Sequence, residues 1–128
     1  MSALSDYAEL KVLDHILGTT AYTHPSTVYL GLAAESLADA GSGTELSGNA
    51  YARQSMSFAA ASSGSAATNA TITFPTATGS WGTVSHWGIF DASTSGNLIV
   101  HGAFSASKAI GTGDILRVNS GDLTVTAA

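Results

Sequence analysis

Cysteine is absent from the 128 residues. That excludes disulfide staples, thiolate nucleophiles and cysteine-ligated zinc, so a packed core has to stabilise the fold unaided. Charge is scarce as well. Ionic side chains make up 10% of the chain, against roughly a quarter in ordinary globular proteins. A monomer keeps itself apart from its neighbours with mixed charge, so an exterior this bare implies that much of the surface faces other protein. Basic residues are the rarest of the charged types: Lys11, Arg53, Lys108 and Arg117 are scattered through a chain of formal charge −5. They form no positive stripe of the kind that displaces counterions from phosphates, which excludes nucleic acid as a partner. A long apolar run is missing too. The stretch MSALSDYAELKVLDHILG at positions 1–18 has acids inside its apolar part, no basic leader and too few residues to span a bilayer. Neither a membrane partner nor a secretory signal is expected, and the chain reads as a soluble product of the cytosol.

The length fits one domain over 1–128, with a helix in 1–18 and a β-domain in 19–128. Between Asp6 and Leu17 the apolar residues Tyr7, Leu10, Leu13 and Leu17 recur at steps of three and four, with Ile16 widening the stripe. This spacing predicts an amphipathic helix whose stripe docks on the β-domain or on a sister subunit. Ser5 or Asp6 can cap its first amides, Asp6 and Glu9 have capping-box spacing, and Gly18 suits the left-handed residue after a last turn. Everything beyond Gly18 reads as strand and loop. STVYLGLA alternates Val28, Leu30 and Leu32 against Thr27 and Tyr29, while AYARQSMSF alternates less regularly, with Ala52, Met56 and Phe58 assigned inward. The intervening Glu35 to Asn49 and the later Ala59 to Asn69 lack any period and read as surface loops. A short TITF strand follows. TVSHWGIFD and NLIVHGAFSA are joined by a hairpin loop at Ala92 to Gly96, and DILRVN and DLTVTA flank Ser120 and Gly121 in the same manner. The fold class is all-β: an antiparallel β-sandwich or small barrel of about six to eight short strands with one N-terminal α-helix.

The densest cluster of reactive and aromatic residues is FPTATGSWGTVSHWGIFDASTSGNLIVHG, residues 74–102, which holds both tryptophans and two of the four histidines. Antiparallel pairing with Asp91 opposite Asn97 brings His86 close to His101 or Gly102. Two imidazoles do not make a metal site, and no third ligand has the spacing of one. DASTSG at Asp91 to Gly96 imitates the start of a calcium loop, but the twelfth position is Gly102 where a bidentate glutamate is required. GSGTELSG at Gly41 to Gly48 lacks the lysine of a phosphate-binding loop, and no G-x-S-x-G elbow occurs anywhere. No catalytic residue, cofactor or metal is therefore expected. Trp87, mid-strand between Val84 and Phe90, has the place of a core or subunit-contact residue. Trp81, in the turn GSWGT, is the better candidate for exposure and for stacking on a sugar ring. The contact candidates are thus Tyr7, Leu10, Leu13, Leu17, Trp81 and Trp87.

The order of motifs carries further information. LDHILGTTAYTHP, YLGL, YAR and FPTATGSWGTVSHWGIFD, followed by a closing GDILRVNSGDLTV, resemble in combination a family of small tailed-phage virion proteins. Members of that family are described as tail-fibre proteins or as capsid decoration (cement) proteins. The resemblance spans nearly the whole chain and implies a structural particle component with no active-site residues. It implies first a cement protein on the capsid surface, bound to the major capsid protein and assembled in the host cytoplasm into the virion. A tail or tail-fibre component is the alternative. From a different class, a carbohydrate-binding β-sandwich module would need exposed aromatics. Self-association as a homotrimer is expected, since a charge-poor surface offers broad uncharged patches.

Overall fold

The computed structural model describes residues 2–127. Its elements, in chain order, are β1 (Ser2–Leu4), α1 (Asp6–Ile16), β2 (Val28–Ala33), β3 (Gln54–Met56), β4 (Ser65–Ala67), β5 (Ile72–Thr73), β6 (Gly82–Phe90), β7 (Leu98–Ile110), β8 (Arg117–Val118) and β9 (Thr124–Thr126). The architecture is mostly β and sandwich-like, not a closed barrel. A five-stranded antiparallel sheet of order β1-β7-β6-β2-β3 forms one layer, and the two-stranded ladders β4-β9 and β5-β8 lie against it. Among the described residues no helix is long and apolar enough to cross a membrane.

Strand alternation explains the main core. Leu30 and Leu32 of β2, Val84, Trp87 and Ile89 of β6, and Val100 of β7 share one sheet face, where Ile72, Phe74, Val118 and Leu123 from the second layer close over them. On the opposite face the register sets Gly31 beside Gly88. The missing side chains leave a trough that Leu37, Phe90 and Leu98 fill: a Cβ on Gly88 would lie 2.5 Å from Leu37 Cδ1, and one on Gly31 2.7 Å from the Phe90 ring. The segment after β2, expected to be free surface loop, is thus pinned at Leu37, which is 3% exposed. Both faces of the central strands are covered, which is why Gly31 and Ala33 are buried along with Leu30 and Leu32.

Several expectations are corrected by pairings between distant parts of the chain. The DILRVN and DLTVTA segments do not pair with each other: β8 pairs with β5 and β9 with β4. Strand β4 lies inside the Ala59 to Asn69 stretch, which was expected to be surface loop, and β1 precedes the helix. Met56 is buried and Phe58 half-buried, but Ala52 is exposed. The hairpin register differs from the simplest count. Asp91 and Asn97 face each other, yet an irregularity between Ile89 and Phe90 pairs Ile89 with Val100, so His86 lies opposite Ala103 and His101 opposite Gly88. A wider irregularity follows, in which Ser85 alone faces Phe104 to Ser107.

Candidate functional site

Helix α1 begins where Ser5, 1% exposed, caps it by accepting from the Ala8 N–H at 3.2 Å. The Ser5 hydroxyl also donates to the Leu98 carbonyl, and its N–H donates to Ile99 O at 2.8 Å. The first turn is thereby tied to β7. Capping falls to Ser5 and not Asp6, whose own N–H is taken by Asp39 O. Beyond this anchored turn the helix makes little contact with the β-domain. Ala8 is its one buried residue among those described, Tyr7 is half-buried against a cavity of about 310 Å³ beside Leu37 and Leu98, and Lys11 Nζ sits 5.5 Å from the Tyr7 ring centre. The rest of the stripe points to solvent: Leu10 is 64% exposed, Leu13 54%, Ile16 72% and Leu17 73%. The amphipathic period is real, but its apolar side does not dock on the chain's own β-domain. That leaves a continuous aliphatic ridge uncovered, the kind of feature that marks a contact surface.

The expected exposure of Trp81 is overturned. The ring is 6% exposed, its Nε1–H donates to Asn49 O at 2.9 Å, and it stands edge-on to Tyr51 and Phe74 at centroid distances of 5.5 and 6.4 Å. The glycines around it read as turn signals in sequence, and only the folding of residues 49–51 over the turn buries the ring. Trp87, 5% exposed, lies in the core as its mid-strand place predicts.

Residues 45–53 contribute a polar cluster whose pairing the sequence does not reveal. Strand β3 pairs with β2 only as far as Leu30, so the Leu32 N–H on that edge has no strand partner. Tyr51 supplies one: its hydroxyl accepts from Leu32 N at 2.8 Å and donates to Glu45 Oε2 at 2.5 Å. Glu45 in turn takes a bidentate pair from Arg53, with Nη2 at 2.7 Å and Nε at 2.9 Å. The guanidinium carbon lies 3.5 Å from the centre of the Phe90 ring, and Nη1 donates to the carbonyls of Ala92 and Ser95 at 2.8 and 2.7 Å. The hydrogen bonds run from the edge of β2 through Tyr51, Glu45 and Arg53 to the β6–β7 hairpin loop, so the cluster ties these segments together. Asp91 is likewise occupied, accepting from Asn97 N at 2.7 Å and Asn97 Nδ2 at 2.9 Å, where calcium-loop chemistry would need it free. His86 contacts Ser85 Oγ at 2.8 Å while His101 Nε2 pairs with Asp39 at 2.6 Å, so the two imidazoles serve different partners. Among the described residues no three His, Cys, Asp or Glu side chains gather as a metal site would require.

Burial first, and then the hydrogen bond to Glu45, push the Tyr51 hydroxyl far above its ordinary pKa of 10.0. The unfolded chain therefore releases this proton at a pH where the folded chain keeps it. The stabilisation is complete below about pH 10 and is lost progressively as pH climbs above that value. Chemical denaturation at pH 7 and pH 10.5 should show an alkaline loss that becomes shallower in Tyr51→Phe. That variant should also be about 1–3 kcal/mol less stable at pH 7, because Leu32 N–H and Glu45 lose their partner.

A second surface of interest is a groove of about 1060 Å³ at the other end of β1. Trp87, Phe104, Val118 and Leu123 line its apolar part, Ser2, Ser105, Thr124 and Thr126 its neutral polar part, and Arg117 and Asp122 supply its charge. It opens where β1 stops, at Ser2 opposite Gly102, leaving β7 from Ala103 onward without a strand partner on that edge among the described residues. Its lining comes from five separated segments, so no local motif announces it.

The chain matches no curated protein. A family model described as podophage GP4 fiber I protein gp80 covers residues 3–126. With essentially the whole β-fold and its helix inside that match, the chain belongs to this family of phage fibre proteins.

Proposed function

We propose that the protein is a non-catalytic subunit of the fibre apparatus of a tailed-phage virion, held to neighbouring protein subunits by the exposed face of α1. The observation that carries this reading is the ridge of Leu10, Leu13, Ile16 and Leu17, between 54% and 73% exposed on a helix tied to β7 through its first turn. An eleven-residue helix is marginal in water by itself, and exposed leucines add nothing to its stability until another surface covers them. The ridge makes sense in an assembled particle. The family description favours the fibre over the capsid-surface cement reading, which would instead place the same ridge against the major capsid protein. The buried Trp81 and Trp87 remove the exposed aromatics that a carbohydrate-binding module would use. The neutral-to-acidic surface fits protein partners and offers nothing to nucleic acid.

Gold-labelled antibody raised against the purified chain, applied to particles of the phage that encodes it, tests the placement. Label at the tail is expected. Label distributed over the head surface would overturn the fibre reading in favour of cement, and particles free of label would overturn both.

A further inference from the structure

We infer that the return segment 17–27 is a strap, with Tyr22 as its positioning residue, that holds α1 helical in the free chain and so presents the ridge of Leu10, Leu13 and Leu17 ready for docking. This rests on the proposed role of the ridge and names what keeps it in shape before a partner arrives. The need is physical. A helix of eleven residues is marginal alone, its hydrogen bonds to β7 lie at the first turn, and its exposed leucines contribute nothing until they are covered. Something else has to hold the last turn.

The bonds that do so come from the residues that follow. The Leu17 N–H closes on Leu13 O at 2.9 Å, Gly18 reverses the chain at a φ of +83°, and the Thr19 and Thr20 N–H groups return to Asp14 O at 3.0 and 3.2 Å. Thr19 Oγ1 donates to Asp14 Oδ1 at 3.0 Å, and the Tyr22 N–H donates to His15 Nδ1 at 3.1 Å. From there the half-buried Tyr22 side chain runs back towards the first turn: burial first, and then the nearby Tyr7 and Asp91, raise its hydroxyl above the ordinary pKa of 10.0. One residue thus meets both ends of the helix, by its backbone at His15 and by its side chain at Tyr7.

Strap and ridge use different faces. At 3.6 residues per turn, Tyr7, Lys11 and His15 form one stripe and Leu10, Leu13 and Leu17 another, roughly a third of a turn away. Tyr7, Ala8 and Lys11 are the α1 residues that are not exposed, so the covered side is the strap's side and the ridge stays bare. A ridge already in its docking conformation binds at full strength, whereas a helix that formed only on contact would lower the apparent affinity by its helical fraction.

His15→Ala is the discriminating variant. The site is exposed and alanine is the better helix former, so local propensity favours a tighter α1 while the strap loses its acceptor. Tyr22→Ala removes the side chain that reaches Tyr7. Hydrogen exchange on the purified full chains should show the amides of residues 10–16 exchanging about tenfold faster or more in both variants, with the melting temperature little changed because neither residue belongs to the core. In phage deleted for this gene and supplied with each variant in trans, quantitative immunoblots of purified particles should find copies reduced about threefold or more. Unchanged α1 exchange in His15→Ala would overturn the strap, as would lost protection with full incorporation. Leu13→Asp separates the two readings: it should keep α1 protected and still be excluded from particles. Its full incorporation would overturn the ridge reading and the presenting role with it, whereas failure in the exchange measurement touches the strap alone.

Discussion

Replacing Glu45 with alanine is expected to cost about 3–5 kcal/mol, the range for breaking a buried ion pair by removing one partner. The reason lies on the Arg53 side. Its side chain is 8% exposed, against 22% for Glu45, so the guanidinium has little water to turn to once the carboxylate is gone. Three of its contacts, to the carbonyls of Ala92 and Ser95 and to the Phe90 ring, remain, but none carries a countercharge. Tyr51 loses its acceptor in the same stroke. Denaturant unfolding of Glu45→Ala beside the double variant Glu45→Leu/Arg53→Met provides the check. The double variant should recover much of the loss, since replacing both members of a buried pair by apolar groups leaves no stranded charge. Equal destabilisation in both would show that the pair contributes through its shape alone.

Trp81→Ala should be just as damaging, by about 3–5 kcal/mol, and it decides between two roles for the residue. A stacking platform for a sugar is an exposed ring whose removal leaves the fold untouched. Here the ring fills a corner between Tyr51 and Phe74 and its Nε1–H satisfies Asn49 O, so truncation opens a cavity and orphans that carbonyl. A melting temperature lowered by roughly 10 °C or more is expected, since in a domain of this size each kcal/mol shifts it by several degrees. An unchanged melting temperature would contradict the packing described here. Leu13→Asp offers the contrast: at 54% exposure it should leave monomer stability nearly unchanged while abolishing any association that uses the ridge.

Local chemistry was enough to read α1, β2 and the β6–β7 hairpin. Ser5, the leucines at steps of three and four, and Gly18 act within one or two helical turns, and the alternation of Val28, Leu30 and Leu32 records burial on one sheet face. The zero cysteine count and the sparse charge bounded the chemistry before any fold was known, and the motif order pointed to the phage family. What the helical stripe faces was not legible, because periodicity reports that a face is apolar and says nothing about what covers it. Trp81 misled for a related reason: a tryptophan between two turn glycines looks exposed until residues 49–51, about thirty positions earlier, fold over it. The β5-β8 and β4-β9 ladders, the Gly31–Gly88 trough, the Glu45–Arg53 clamp and the five-segment groove are all non-local. Each depends on which distant strands become neighbours, a choice made by the joint burial of two sheet faces, and within the β6–β7 pair the register is reset by the irregularities between Ile89 and Phe90 and at Ser85.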